Sequence, residues 1–434
     1  MVNVEESDTI RLASAARAKA THPAKLDIDH PGEGGWLSAS ELAKITSPQV
    51  LVERVKSLKP LIAANAAATE EARRPVPVVW DALRRTGLFY HFVPKRFGGL
   101  EFDIESFIDV MTPIGEVCAS TCWTAVFSAD HNWLMSQFPE QAQKEFFAGN
   151  RYTIAPGTSL SVTPVAAKRV PGGYRVSGQF RFGSGIMNSN WTLVQLGVQD
   201  EDFMTELRWM AIPSTEVTAL DTWHMDGLAG TGSNDILVED VFVPEYRTVR
   251  WIDIMGGVSP GSQINDNPMY RTPPIQFLAF NTTIPAIAAT RGLVEMYRER
   301  MVSRTRYGAP SAQLAKSTIQ VRVARADLLV RSGEMALRDV ARTLTDTVKR
   351  GAALGETERL RLLAQCAHAT TLAHEAMTLI AVAVGSSVHA LTNPMQRMIR
   401  DINVAKSHQL HELDEMAEHY GRSLFGLERT TLVF

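Results

Sequence analysis

Cysteine is scarce in this chain of 434 residues: Cys118, Cys122 and Cys366 are its three. An odd number without CxxC spacing supports neither a disulfide framework nor a structural zinc site, and it fits a reducing compartment. Neither charge is in surplus, with Lys+Arg 44 against Asp+Glu 47 and a net charge of −3. A phosphate backbone asks for a basic excess, so nucleic acid is excluded as a partner. No apolar run reaches the roughly 18 to 20 residues of a membrane span. The opening MVNVEESDTI is acidic where a secretory signal is basic, so the expectation is a cytoplasmic protein with no membrane partner. No strand, GxGxxG and helix follow one another, and GLAGTGSND lacks the spacing of a dinucleotide site. None of the 11 histidines has glutamate three residues before it, which removes the ferritin-like di-iron pattern, and no metal is expected. The absence of internal repeats removes solenoids and propellers.

What is present is enough chain for two to three domains at roughly 150 residues each. Residues 1–37, with the breaker-rich HPGEGGW, read as an N-terminal extension that need not fold independently. Residues 38–150 read as a helical domain, opened by a capping box in which Ser38 stands three residues ahead of Glu41. Residues 151–270 read as a β domain: GGYRVSGQFRF alternates, and WTLVQLGV, RWMAIP and DILVEDVFVP are β-branched runs bounded by turn residues. Residues 271–434 read as a helical bundle. There Ile319, Val323, Ala326, Val330, Gly333, Leu337, Val340 and Leu344 form a seam in steps of four and three. Further helices are expected from about Glu356 to Gly385 and from Pro394 to about Gly421. The fold class is α+β.

Five blocks stand in the order of the acyl-CoA dehydrogenase fold: VPKRFGGLE at 93–101, GGYRVSGQFRFGSGIMNSNW at 172–191, GLAGTGSNDILVEDVFVPE at 227–245, SRTRYG at 303–308 and VGSSVHALTNPMQRMIRD at 384–401. The chain resembles that family from about residue 45 onward. Within it the text is most similar to the oxygenase components of two-component flavin-dependent monooxygenases, of the p-hydroxyphenylacetate hydroxylase and dibenzothiophene monooxygenase type. Three features carry the closer likeness: the loop APGTSLSVTPVA, the pair Trp123 and His131 in CWTAVFSADHNW, and histidines after Arg-Asp in RDINVAKSHQLHELDE. One group of the dehydrogenases places its catalytic glutamate eight residues after that aspartate. Here the count from Asp401 reaches Gln409, and an amide cannot abstract the proton that dehydrogenation requires.

The resemblance implies a reduced flavin, FMN first and FAD second, that reacts with O2 to form a C4a-hydroperoxyflavin and hydroxylates an aromatic or heteroaromatic substrate. It implies a separate NAD(P)H:flavin reductase as partner. His408 is expected near flavin and substrate as a proton-transfer group, suited by an ordinary imidazole pKa of about 6.5. His411, three residues on, shares its helix face and is assigned to substrate. Ser184, between Gly183 and Gly185, is expected to hydrogen-bond flavin N5. Thr158 and Ser159 bring polar groups to the cofactor from the β domain. Trp123 and His131, about two helical turns apart, line one pocket, Trp123 as a wall against the cofactor and ring and His131 as a catalytic and substrate-binding group. Arg304 is expected at the flavin phosphate, and Gly385 and Ser386 at the far end of the cofactor. The apolar seam supplies a face to bury against neighbours in a homotetramer. Two other readings remain open: an acyl-CoA dehydrogenase or oxidase with a relocated base, and a non-enzymatic scaffold of the same fold.

Overall fold

A computed structural model describes residues 23–30, 35–159, 161–163, 165–199, 201, 206–303 and 313–428. The chain opens with β1 (Lys25–Leu26) and then folds as helices α1 (Ala39–Leu42), α2 (Pro48–Lys56), α3 (Lys59–Ala72), α4 (Pro77–Arg84), α5 (Ile104–Gly115), α6 (Ala119–Met135) and α7 (Glu140–Phe147). The capping box at α1 forms as the spacing predicts, with Ser38 accepting from the Glu41 backbone N–H and Glu41 reaching back to the Ser38 N–H. All residues of α6 are buried, yet it carries Ser120, Thr124, Ser128, Asp130, His131 and Asn132. Polar groups on a helix with no wet face need internal partners or a cavity to serve.

The middle of the chain is a mixed sheet. Strands β2 (Gly157–Thr158), β3 (Ala166–Val170), β4 (Gly173–Gly183), β5 (Trp191–Val198), β6 (Arg208–Pro213), β7 (Thr218–Leu220), β8 (Asn234–Pro244) and β9 (Thr248–Arg250) run in the order β1-β7-β8-β4-β3-β5-β6-β9, with β2 parallel to β5. Tyr174, Val176, Phe180, Ile236, Val238 and Val243 alternate inward from β4 and β8 to make its core. The extension is partly built into this sheet: Lys25 pairs with Leu220 and Leu26 with Ala219, so residues 1–37 do not all stand apart. The register of β4 on β8 shifts between Phe180 and Gly183. That irregularity puts Phe182 at φ 66, a region bulky residues avoid, and leaves its ring 48% exposed.

Helices α8 (Trp251–Met255) and α9 (Pro260–Ile264) lead into α10 (Pro274–Ser303), then α11 (Ser317–Lys349), α12 (Glu356–Ala381), α13 (Pro394–Lys406) and α14 (Leu413–Leu424). Two expectations need correction. The seam on α11 is spent inside the chain: Ala326 and Val330 pack with residues of α10 and α12, and a Cβ on Gly333 would lie 2.8 Å from Ile287 Cδ1 and 3.1 Å from Ala369 O. It therefore offers no face to a neighbouring subunit. The single helix expected from Pro394 to about Gly421 is two helices. Ser407 ends α13, the His408 side chain accepts from the Leu410 N–H, and Lys406 Nζ donates to His411 O, so local side chains close the turn without proline or glycine. Among the described residues no helix is long and apolar enough to cross a membrane.

Candidate active site

Where α6, the ends of β2 and β4, the loop after β7, the start of α10 and the turn after α13 converge lies a cavity of about 440 Å³. Trp123, His131, Thr158, Ser159, Ser184 and His408 all line it. Along α6 an aromatic ladder runs from His408 through Trp123 (5.8 Å between centroids) and Phe127 (5.3 Å) to His131 (5.4 Å). Gly157 lets β2 lie close over the imidazole, since a Cβ there would sit 3.0 Å from His131 Cε1. Thr158 Oγ1 donates to Arg181 O at 2.5 Å and so ties β2 to β4 at the cleft edge.

Hydrogen bonds assign the protons of the key groups. His131 Nδ1 lies 2.5 Å from Ala155 O, which only an N–H satisfies, so the neutral ring turns the lone pair of Nε2 outward. His408 is wired the other way: Nδ1 accepts from Leu410, which leaves the hydrogen on Nε2. Burial holds both rings neutral, with pKa values lowered to about 4. The cleft thus carries one imidazole as acceptor and one as donor. Ser184 is constrained as tightly. Trp123 Nε1 can only donate to Ser184 Oγ (3.1 Å), and Thr231 Oγ1 donates to Leu228 O (2.8 Å). The two 2.7 Å contacts between, Ser184 to Ser233 and Ser233 to Thr231, must then run in that direction. Ser184 spends its only proton on Ser233 and presents a lone pair to the cleft.

The loop that supplies Leu228, Thr231 and Ser233 is held from α13. Leu228, at φ 50, donates its N–H to Asp401 Oδ1 at 2.7 Å, and Arg400 bonds Asp226 O and Glu70. Burial, reinforced by Glu70, pushes the Asp401 carboxyl up to about 7 against the pull of Leu228, Arg397 and Arg400. The Arg-Asp pair is therefore the strap between bundle and sheet.

One expectation falls elsewhere. His411 does not reach the cleft: it is fully buried behind His408, with Nδ1 donating to Ala405 O (2.7 Å) and Nε2 3.0 Å from Thr282 Oγ1, so it braces the turn against α10 and is not placed to touch substrate. Gly385 and Ser386 sit at the turn after α12, outside the lining of the cleft. Arg304 lies outside the described residues. Conversely, sequence reasoning missed Asp130, Phe182, Trp223, Thr231 and Ser233, all on the cleft wall. For Asp130 a signal existed: a carboxylate inside an otherwise uncharged stretch of helix.

Gln409 lines the cleft, and among the described residues Asp130 is the single carboxyl group in the lining. Burial pushes that carboxyl well above the carboxylate range and so favours its protonated form. Sheet and bundle, closed around a cleft that holds Gln409 and one buried carboxyl, define an acyl-CoA dehydrogenase fold. Residues 55–149 match the acyl-CoA dehydrogenase N-terminal domain and residues 282–413 the acyl-CoA dehydrogenase C-terminal domain. The chain is 34% identical to a pigment production hydroxylase of Rhodococcus sp. (strain ATCC 21145), over 86% of this chain and 95% of that one. It is 31% identical to the oxygenase component of an FADH2-dependent resorcinol hydroxylase of Rhizobium sp. (strain MTP-10005), over 88% and 96%. The solved structure of XiaF from Streptomyces sp. in complex with FADH2 and glycerol superposes with a TM-score of 0.81 at 27% identity, covering 90% of this chain and 98% of that one. The chain belongs to the oxygenase components of the flavin-dependent hydroxylases, within the acyl-CoA dehydrogenase fold. It is a flavin-dependent monooxygenase that takes reduced flavin as cofactor and O2 as co-substrate.

Proposed function

We propose that the chain hydroxylates a small aromatic or heteroaromatic substrate in the cytoplasm, with reduced flavin delivered by a separate NAD(P)H:flavin reductase. The observation that carries this reading is the opposed wiring of His131 and His408 across one aromatic-walled cleft. The name of the resorcinol hydroxylase relative, an oxygenase component, supports the separate reductase. Three free, buried cysteines fit a reducing compartment.

The cleft suits a reduced flavin on its own chemistry. Ser184 offers an acceptor, which complements the N–H that a reduced flavin carries at N5 and an oxidised one lacks. Ser184, Trp123, Thr158 and Ser159 are the residues assigned to hold it, with Arg304, Gly385 and Ser386 proposed at its phosphate end. Reduced flavin supplies the electrons that activate O2, one oxygen atom going to the ring and the other leaving as water. His408 Nε2–H holds a proton where a developing negative oxygen needs one, and His131 Nε2 takes a proton from a polar group of the substrate. Trp123 and Phe127 wall the ring and exclude water.

FMN is the first choice of flavin, with FAD tested beside it because two of the three proteins named above are described with FADH2. The test supplies chemically reduced FMN or FAD, labelled O2 and a phenol, without NAD(P)H. One labelled oxygen atom in the product is expected. Anaerobic bleaching of oxidised flavin by an acyl-CoA thioester, with no phenol consumed, would establish a dehydrogenase instead. We also propose a homotetramer, built on the outer face of α11, where Val321, Leu328 and Met335 are exposed. Light scattering from a monomer at micromolar concentration would refute it.

A further inference from the structure

Next to His131 on α6 stands a carboxyl without an assigned task. Asp130 is 4% exposed, lines the cleft, and its Oδ1 has no hydrogen-bond partner. That oxygen lies 3.9 Å from His131 Nε2. Atoms so far apart do not bond each other, yet one oxygen placed between them reaches both at an ordinary length of about 2.8 Å. The carboxyl torsion is soft, so either of its oxygens can turn to such a guest.

The two groups are complementary. His131 Nδ1–H is committed to Ala155 O, so Nε2 is an acceptor. Asp130 forms no ion pair with lysine or arginine among the described residues. The other titratable groups on the cleft wall are Arg181 and His408, and the Asn281 side chain approaches the carboxyl from α10. Burial favours the un-ionised carboxyl, which has an O–H to donate, against the pull of the His131 backbone N–H and the Asn281 side chain.

We propose that Asp130 and His131 form a two-point receptor for a hydroxyl group on the substrate ring, which donates to His131 Nε2 and accepts from the Asp130 carboxyl. The cleft then selects a neutral hydroxyarene over its methyl ether, which has no hydrogen to give, and over the phenolate, which meets the Nε2 lone pair. As ring electron density moves to the incoming oxygen, the substrate O–H bond breaks and an Nε2–H bond forms. When aromaticity returns, the ring carbon's own proton passes to the oxygen atom that was not transferred and that leaves as water, and Nε2–H returns its proton to the substrate's original oxygen, so His131 ends neutral. This deepens the function proposed above and rests on it.

The test is equilibrium binding to the full chain without flavin or O2, so its outcome is separate from any failure of hydroxylation. The probes are 2-naphthol and its methyl ether, with wild type, Asp130→Asn and Asp130→Ala, from about pH 5 to about pH 9. Asparagine keeps a donor and cannot ionise, whereas alanine removes it. Asp130→Ala is expected to lose about tenfold in affinity for 2-naphthol, and Asp130→Asn to stay within about threefold of wild type, as one hydrogen bond implies. The ether should bind all three alike and more weakly than the naphthol binds wild type. Wild-type affinity should fall at alkaline pH, where a carboxylate replaces the donor, while Asp130→Asn holds level until the naphthol itself ionises. The proposal is overturned if 2-naphthol fails to bind wild type, if the ether binds as tightly, if Asp130→Ala binds 2-naphthol as wild type does, or if wild type and Asp130→Asn share one alkaline loss. Should Asp130→Ala not fold by circular dichroism, the comparison of those two pH profiles decides.

Discussion

Three hydroxyls in a row determine what Ser184 can offer a ligand. Each has one hydrogen, and because Thr231 gives its own to Leu228 O, the direction of the whole chain from Ser184 through Ser233 follows. Replacing Ser233 with alanine removes the acceptor and frees the Ser184 proton to point into the cleft. The expected outcome is a shift in redox preference: the ratio of affinities for reduced over oxidised FMN falls by up to about tenfold, the worth of one hydrogen bond. Anaerobic titration of the variant with both flavin forms measures it. An unchanged ratio would mean that Ser184 does not meet the flavin at N5.

At the scale of elements, the cleft is as good as the strap that holds the loop after β7 against α13. Asp401 makes that strap by accepting the Leu228 N–H from a buried position. Asp401→Ala orphans a buried donor and is expected to cost about 1 to 3 kcal/mol. Asp401→Asn keeps an acceptor and should lose much less, so denaturant midpoints of the two variants separate the hydrogen bond from the charge. Similar losses in both would show that ionisation, not the Leu228 contact, is what α13 contributes. Much of this level was legible in the sequence, because the block ending in Arg-Asp and the block containing Gly-Thr-Gly-Ser-Asn-Asp resemble those of a fold whose helices close on a sheet. The break after Lys406 was not legible: it is made by His408 and Lys406 bonding their own backbone turn, and side-chain capping of that kind leaves no periodic trace. The burial of His411 follows from the same break. Asp130 escaped notice because period and spacing describe which face a residue is on, and α6 has no exposed face to contrast with.

For the molecule as a whole, burial of titratable groups makes stability depend on pH from both sides. His91, His131 and His408 have pKa values lowered to about 4 and His411 to about 3, all chiefly by burial. Each stays neutral in the fold but takes a proton when unfolded below about pH 6.5, so its contribution is present above that value and lost as pH falls toward 4. Asp401, raised to about 7, and Asp130, raised well above the ordinary carboxylate range, act oppositely: the unfolded carboxyls ionise above about pH 4, so the fold loses stability as pH rises from there toward the folded values. Between about pH 4 and 6.5 four histidines outweigh two aspartates and stability climbs with pH. Above that only the aspartates remain and it declines, which puts the maximum near pH 6.5. His91 provides the check, since it lies away from the cleft among Phe92, Phe102 and Phe107, with Nδ1 unpartnered. His91→Phe removes one of the four proton uptakes. Its acid limb should be shallower by up to about 1.4 kcal/mol per pH unit, so that the variant gains on wild type between pH 6.5 and pH 5 by roughly that amount per unit even if it starts lower at neutrality. Urea unfolding at a series of pH values reads this directly, and parallel acid limbs for variant and wild type would show that His91 is protonated in the native state.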